Sequence, residues 1–90
     1  MELNIENLEN CFNAALKNKA KYVAVKLKTK MSKECEIMIT PYESITTKLK
    51  NYKEIFNYYL ELEAYNGIKI VGFTYGNTFK EIEHDLCFDQ

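Results

Sequence analysis

His84, Asp85 and Cys87 bring an imidazole, a carboxylate and a thiol within four residues, and His84 and Cys87 stand three apart, on one side of a helix. A structural zinc site needs four such ligands, and the remaining thiols, Cys11 and Cys35, each stand alone with no CxxC pair. As a nucleophilic pair, Cys87 and His84 lack an orienting third group and an oxyanion hole. Glu61/Glu63 and Glu81/Glu83 are paired carboxylates at strand and helix spacing. General acid–base work needs a carboxyl in a dry pocket, and lysines and water are their expected company instead. This inventory predicts no catalytic residues, no metal and no cofactor, hence a protein that is not an enzyme.

Two constellations fit binding better than catalysis. Gly72 and Gly76 flank Phe73-Thr74-Tyr75, and Asn77-Thr78 then opens a helix. A glycine turn feeding a helix N-terminus presents backbone N–H groups to an anion, although this spacing matches neither GxGxxG nor a Walker loop. Tyr75, Asn77 and Thr78, with Lys26 and Lys28 from the basic part of the chain, are the candidate anion or nucleotide ligands. The second constellation is apolar. Ala24, Met38, Tyr65, Ile68 and Ile70 are expected on the uncovered side of a sheet, where an apolar patch on a small domain marks a partner surface. Self-association is the first expectation, since most soluble oligomers are homo-oligomers.

Those residues need a scaffold, and 90 residues make one domain, 1–90, with a single core. At 47% apolar and 28% charged, the composition is that of a folded chain. No apolar run approaches the ~20 residues that span a bilayer, and Met-Glu-Leu-Asn-Ile-Glu lacks the basic start of a signal peptide, so a cytoplasmic protein is expected. The cysteines are too few and scattered for a disulfide framework. Net charge is −1 but uneven: −3 over residues 1–10, +7 over 11–53 and −5 over 54–90. Such a split suits anion binding, or halves that neutralise each other within the fold or across an oligomer. All twelve cations are lysine. Without arginine's bidentate fork, specific nucleic-acid recognition is disfavoured, leaving only nonspecific binding through Lys17, Lys19, Lys21, Lys26, Lys28 and Lys30.

Periodicity supplies the elements. Ile5, Leu8, Phe12, Ala15 and Leu16 fall at helical spacing behind a capping Asn4. Tyr22–Lys28 alternates at period two, as do Cys35, Ile37 and Ile39, predicting an antiparallel hairpin with Lys26 and Lys28 across from Glu34 and Glu36. Thr40-Pro41-Tyr42-Glu43 reads as a capped helix start, continued by the stripe Ile45, Leu49, Tyr52, Phe56. Asn66-Gly67 between two alternating runs predicts a two-residue type I′ hairpin pairing Leu62 with Val71 and Leu60 with Phe73. Thr78-Phe79-Lys80-Glu81 repeats the capping pattern, with Phe79, Ile82 and Leu86 inward. The expected fold is α+β: two layers, a four-stranded, mainly antiparallel sheet with helices on one face, in the order α-β-β-α-β-β-α.

The run Asn66-Gly67-Ile68-Lys69-Ile70-Val71-Gly72-Phe73-Thr74-Tyr75-Gly76-Asn77-Thr78-Phe79, with Glu81-Ile82-Glu83, Asp85-Leu86 and Ala20-Lys21-Tyr22-Val23-Ala24-Val25, resembles small uncharacterised phage and prophage proteins of low-GC Gram-positive bacteria. The resemblance implies a mobile-element accessory role, with a host protein as a further candidate partner, and carries over no catalytic motif. The element order alone is similar to the pterin carbinolamine dehydratase fold, whose active site depends on adjacent histidines; His84 is the only histidine in this chain, so that activity does not transfer. The functional expectation is therefore a non-enzymatic, homo-oligomeric binding module, with small-anion or nucleotide sequestration and nonspecific nucleic-acid binding as rivals.

Overall fold

A computed structural model describes residues 2–29, 34–62 and 67–87. Helix α1 (Ile5–Lys17) begins where the Asn4 side chain accepts from Asn7 N at 2.9 Å, as the sequence predicts. It closes in a Schellman motif: Ala20 N donates to Ala15 O and Lys19 N to Leu16 O. Lys19 holds the left-handed position of that motif, φ 52°, where glycine is the usual occupant. Strand β1 (Tyr22–Thr29) then crosses the molecule, β2 (Glu36–Pro41) returns antiparallel beside it, and a 3₁₀ turn (Tyr42–Ser44) leads into α2 (Ile45–Ile55). Strand β3 (Ile68–Gly76) and helix α3 (Phe79–Cys87) complete the order α-β-β-α-β-α. The sheet is antiparallel with order β2-β1-β3. Among the described residues, no helix is long and apolar enough to cross a membrane.

The fold is α+β, and among the described residues the sheet has three strands rather than the expected four. Within its described residues, the segment expected to be the third strand of four contributes isolated bridges, Phe56↔Leu62 and Glu61↔Lys69. The rest of the expected hairpin, Tyr65 and Asn66 included, lies outside the described residues. Gly67 does have the positive φ, 95°, that a tight turn requires. Pairing of Glu61 with Lys69 differs from the expected register by an odd number of residues, which turns the side chains to the other face.

A second correction concerns layers. Val23 and Val25 join α1 and α2 in the main core, with Leu8, Phe12, Ile45, Leu49, Tyr52, Leu60, Ile70 and Phe73. Ala24, between those two valines, faces the opposite way and packs with Ile82 and Leu86 of α3. Helices therefore cover both faces of the sheet, not one. On the α3 side small groups, Ala24 and Gly72, are flanked by the partly buried Tyr22, Ile37 and Ile39. Gly72 leaves room for Leu86, whose Cδ2 would lie 3.4 Å from an added Cβ.

Two local expectations fail for tertiary reasons. Thr40 does not cap a helix: it pairs with Val23 as a buried strand residue, and α2 starts only at Ile45 with no side-chain cap. The stripe Ile45, Leu49, Tyr52, Phe56 is buried as read. In the β1–β2 ladder Glu36 faces Leu27 and Ile37 faces Lys26, so Lys26 and Lys28 are not across from Glu34 and Glu36.

Candidate functional site

The five residues expected on a bare partner face do not share one. Between β1 and β3, Lys26 pairs with Gly72 and Leu27 with Ile70, which leaves Val71 as the extra residue of a β-bulge. The bulge resets the alternation, so Ile70 stands on the same side as Phe73 and is fully buried beneath the chain's own helices. Ala24 is buried on the other side, under α3. Ile68 is half-buried and lines a cavity of about 150 Å³ with Leu27, Thr29, Glu34 and Glu36. Met38 is exposed, and Tyr65 lies outside the described residues. Ala24 and Ile70 are corrected from partner residues to core residues.

The anion constellation is also taken apart. Asn77 Oδ1 accepts from Lys21 N at 3.1 Å, and Tyr75 Oη accepts from Asn18 Nδ2 at 3.1 Å. Thr78 Oγ1 caps α3 by accepting from Glu81 N at 3.1 Å, and the Glu81 carboxylate, 3.4 Å from that hydroxyl, already supplies negative charge at the helix start. Lys26 is buried at the far end of the same helix, its Nζ donating to Leu86 O at 2.9 Å. The nine-residue length of α3, about 13 Å at 1.5 Å per residue, lies between the two sets. Lys28 is exposed beyond Lys26 on β1.

No grouping of histidine, cysteine and carboxylates suited to a metal occurs among the described residues. His84 and Asp85 approach only to 3.9 Å at the surface, and the Cys87 side chain lies outside the described set. Burial pushes the Cys11 thiol up to about 11, which makes it a poor nucleophile at neutral pH. It lines a shallow cavity of about 300 Å³ between α1 and the free edge of β3, together with Asn7, Asn10, Phe73, Thr74 and Tyr75.

Exposed apolar side chains gather instead where α1 begins and α2 ends. Ile5 N donates to Tyr58 O at 2.8 Å, fastening the loop after α2 to the start of α1. Asn57 then folds that loop on itself: its side-chain oxygen accepts from Tyr59 N at 2.9 Å and from Glu61 N at 3.0 Å. Leu60, fully buried, is forced into the left-handed region at φ 64°, a conformation costing about 1–2 kcal/mol for a non-glycine residue. Burying Leu60 turns its neighbours outward. Tyr59 is 65% exposed and Tyr58 48%, their rings edge to face at 5.2 Å, and Leu3 and Ile55 are exposed at the same end. Acids outnumber bases around them: Glu2, Glu6, Glu54 and Glu61 are all exposed, against Lys69, which stands across from Glu61, and Lys53, which is held by Glu9. Desolvation, then Glu6, which accepts the Tyr58 hydroxyl hydrogen bond at 3.4 Å, and then Glu2 raise the Tyr58 phenol above its ordinary value.

About 20 Å away, at the other end of α1, the chemistry inverts. Lys17, Lys19 and Lys21 are exposed there, joined by Lys80 from the first turn of α3. Tyr42 N donates to Lys21 O at 2.9 Å, and the Tyr22 and Phe79 rings meet at 4.9 Å, which places the exposed Tyr42 and Phe79 among these lysines. Among the described residues, none of Lys17, Lys19 and Lys21 reaches a carboxylate. At the acidic end, by contrast, Lys53 is held by Glu9 at 2.8 Å.

No protein family, curated protein or solved structure matches this chain.

The charge asymmetry is legible in the sequence, whereas two of the five residues expected on a partner face, Ala24 and Ile70, are core residues, and Tyr58, Tyr59, Leu3 and Ile55 are not among the five. The signal for Ile55 was available: it lies beside Phe56 but off the stripe Ile45, Leu49, Tyr52, Phe56. Nothing local marks Leu60 as the residue that turns Tyr58 and Tyr59 outward.

Proposed function

We propose that this protein is a non-enzymatic contact module that works by binding protein, self-association foremost. Its working surface is the end of the molecule carrying Tyr58 and Tyr59. The observation behind the reading is the exposed Tyr58–Tyr59 pair beside Leu3 and Ile55, held outward by a strained, fully buried Leu60. Aromatic residues on a firm backbone are the usual anchors of protein interfaces, and strained backbone gathers where a surface has work to do. The mobile-element accessory role implied by the resemblance is compatible with such a module. Small-anion sequestration has less support, since Lys26 lies at the opposite end of α3 from Tyr75, Asn77 and Thr78, whose polar atoms are engaged within the fold. Replacing Tyr58 and Tyr59 together by alanine removes exposed side chains only, so the variant is expected to keep its circular dichroism spectrum and melting temperature. Its association in sedimentation equilibrium should weaken about tenfold or more, the loss of one good aromatic anchor. Unchanged association would remove this end from the interface.

A further inference from the structure

The two ends differ in sign as well as in composition, and that difference selects the arrangement of copies. Pairing the tyrosine end with itself would bring Glu2, Glu6, Glu54 and Glu61 against their own counterparts. Pairing the lysine end with itself would do the same for Lys17, Lys19, Lys21 and Lys80. Both two-fold arrangements set like charges within a Debye length of about 8 Å at physiological salt. Pairing opposite ends removes the conflict.

We propose that the chain assembles head to tail, with the lysine end of one copy seated on the acidic, tyrosine-bearing end of the next. This rests on the contact-module reading above and names its partner as a second copy of the same chain. Exposed lysines that meet no carboxylate among the described residues then find Glu2, Glu54 and Glu61 on the neighbour, and the open faces of Tyr58 and Tyr59 accept ammonium groups. Phe79 and Tyr42 supply apolar area opposite Leu3 and Ile55. Glu43 and Glu81 also stand near the lysines, but Glu81 is engaged with Thr78 in the α3 cap. Lys19 is informative on its own. It occupies a left-handed position that glycine would hold without strain, and the exchange would remove one cation from this end. An interface of this kind is heterologous, so copies add in one direction until a ring closes or a filament grows.

Charge reversal with complementation tests the arrangement. One variant carries Lys17→Glu, Lys19→Glu and Lys21→Glu; the other carries Glu2→Lys, Glu54→Lys and Glu61→Lys. All six positions are exposed, and a circular dichroism melt verifies that both variants fold. Each variant alone presents like-charged ends and is expected to sediment as a monomer. Mixed in equal amounts they should form a complex, because each keeps the end that the other lacks. For the unaltered chain, raising NaCl from about 50 to about 500 mM should weaken assembly at least tenfold. Assembly that survives either reversal, or that is indifferent to salt, overturns the head-to-tail arrangement. If Tyr58 and Tyr59 were still required in that case, the contact-module reading would stand and copies would meet tyrosine end to tyrosine end. A chain that stays monomeric near 1 mM at low salt overturns the arrangement and self-association together.

Discussion

The two faces of the sheet are built on opposite plans. Toward α1 and α2 the strands offer large side chains, Val23, Val25, Ile70 and Phe73, and two helices fill the space with Leu8, Phe12, Ile45, Leu49 and Tyr52. Phe12, Tyr52 and Phe56 meet edge to face at centroid distances of 5.9 and 5.7 Å. Toward α3 the strands offer Ala24, Gly72 and a lysine stem, with Tyr22, Ile37 and Ile39 only partly buried beside them, and a single helix of nine residues rests there through Ile82 and Leu86. The thick side therefore holds the fold, whereas the thin side holds α3. A helix that short is marginal alone and depends on its docking contacts. The buried ammonium of Lys26, donating to Leu86 O, ties its C-terminal end to the central strand at the pole of the helix dipole that favours a cation.

The largest expected effects come from emptying each side in turn. Phe12→Ala should cost about 3–5 kcal/mol and lower the melting temperature of the whole domain, whereas Ile82→Ala should cost about 2–3 kcal/mol. Hydrogen exchange separates the two: Ile82→Ala is expected to speed exchange in α3 well before α1 or β1 responds. Equal acceleration everywhere would mean that the faces are not energetically distinct. Lys26 comes next. Lys26→Ala strips both stem and donor, leaving the Leu86 carbonyl without its partner, and should cost about 1–3 kcal/mol in denaturant unfolding. Lys26→Met restores the stem, so the difference between the two substitutions isolates the charged hydrogen bond. Smallest, and opposite in sign, is Lys19→Gly, which relieves a left-handed residue at the end of α1 and should stabilise by about 1 kcal/mol. A destabilising result there would show that the Lys19 side chain contributes more to the fold than its backbone strain removes.

Much of this architecture is legible in the chain because local chemistry and global fold agree there. Asn4 caps α1, Thr78 and Glu81 cap α3, Tyr22–Lys28 alternates as a strand should, and the stripe from Ile45 to Phe56 is buried as spaced. Legibility stops where one residue changes parity. Strict alternation through Ile70-Val71-Gly72-Phe73 sends Ile70 and Phe73 to opposite faces; the bulge at Val71 returns them to the same one, and the proposed partner face disappears with it. Thr40-Pro41 fails for a related reason. Its capping signal is real, yet pairing Thr40 with Val23 in the sheet outweighs it. The exposed Tyr58–Tyr59 pair is not legible because it depends on Leu60, a leucine whose backbone conformation only the surrounding core can impose.

Cys11 sets a chemical limit on the seam between α1 and β3. With its thiol held at about 11 against an ordinary 9.0, only on the order of one molecule in ten thousand is ionised there at neutral pH. The side chain is partly buried rather than sealed, so a thiol reagent that reaches it meets a slow nucleophile. In the unfolded chain the same group ionises near 9.0, so the stability that this one group contributes is whole below that pH and is lost progressively as alkalinity rises toward 11.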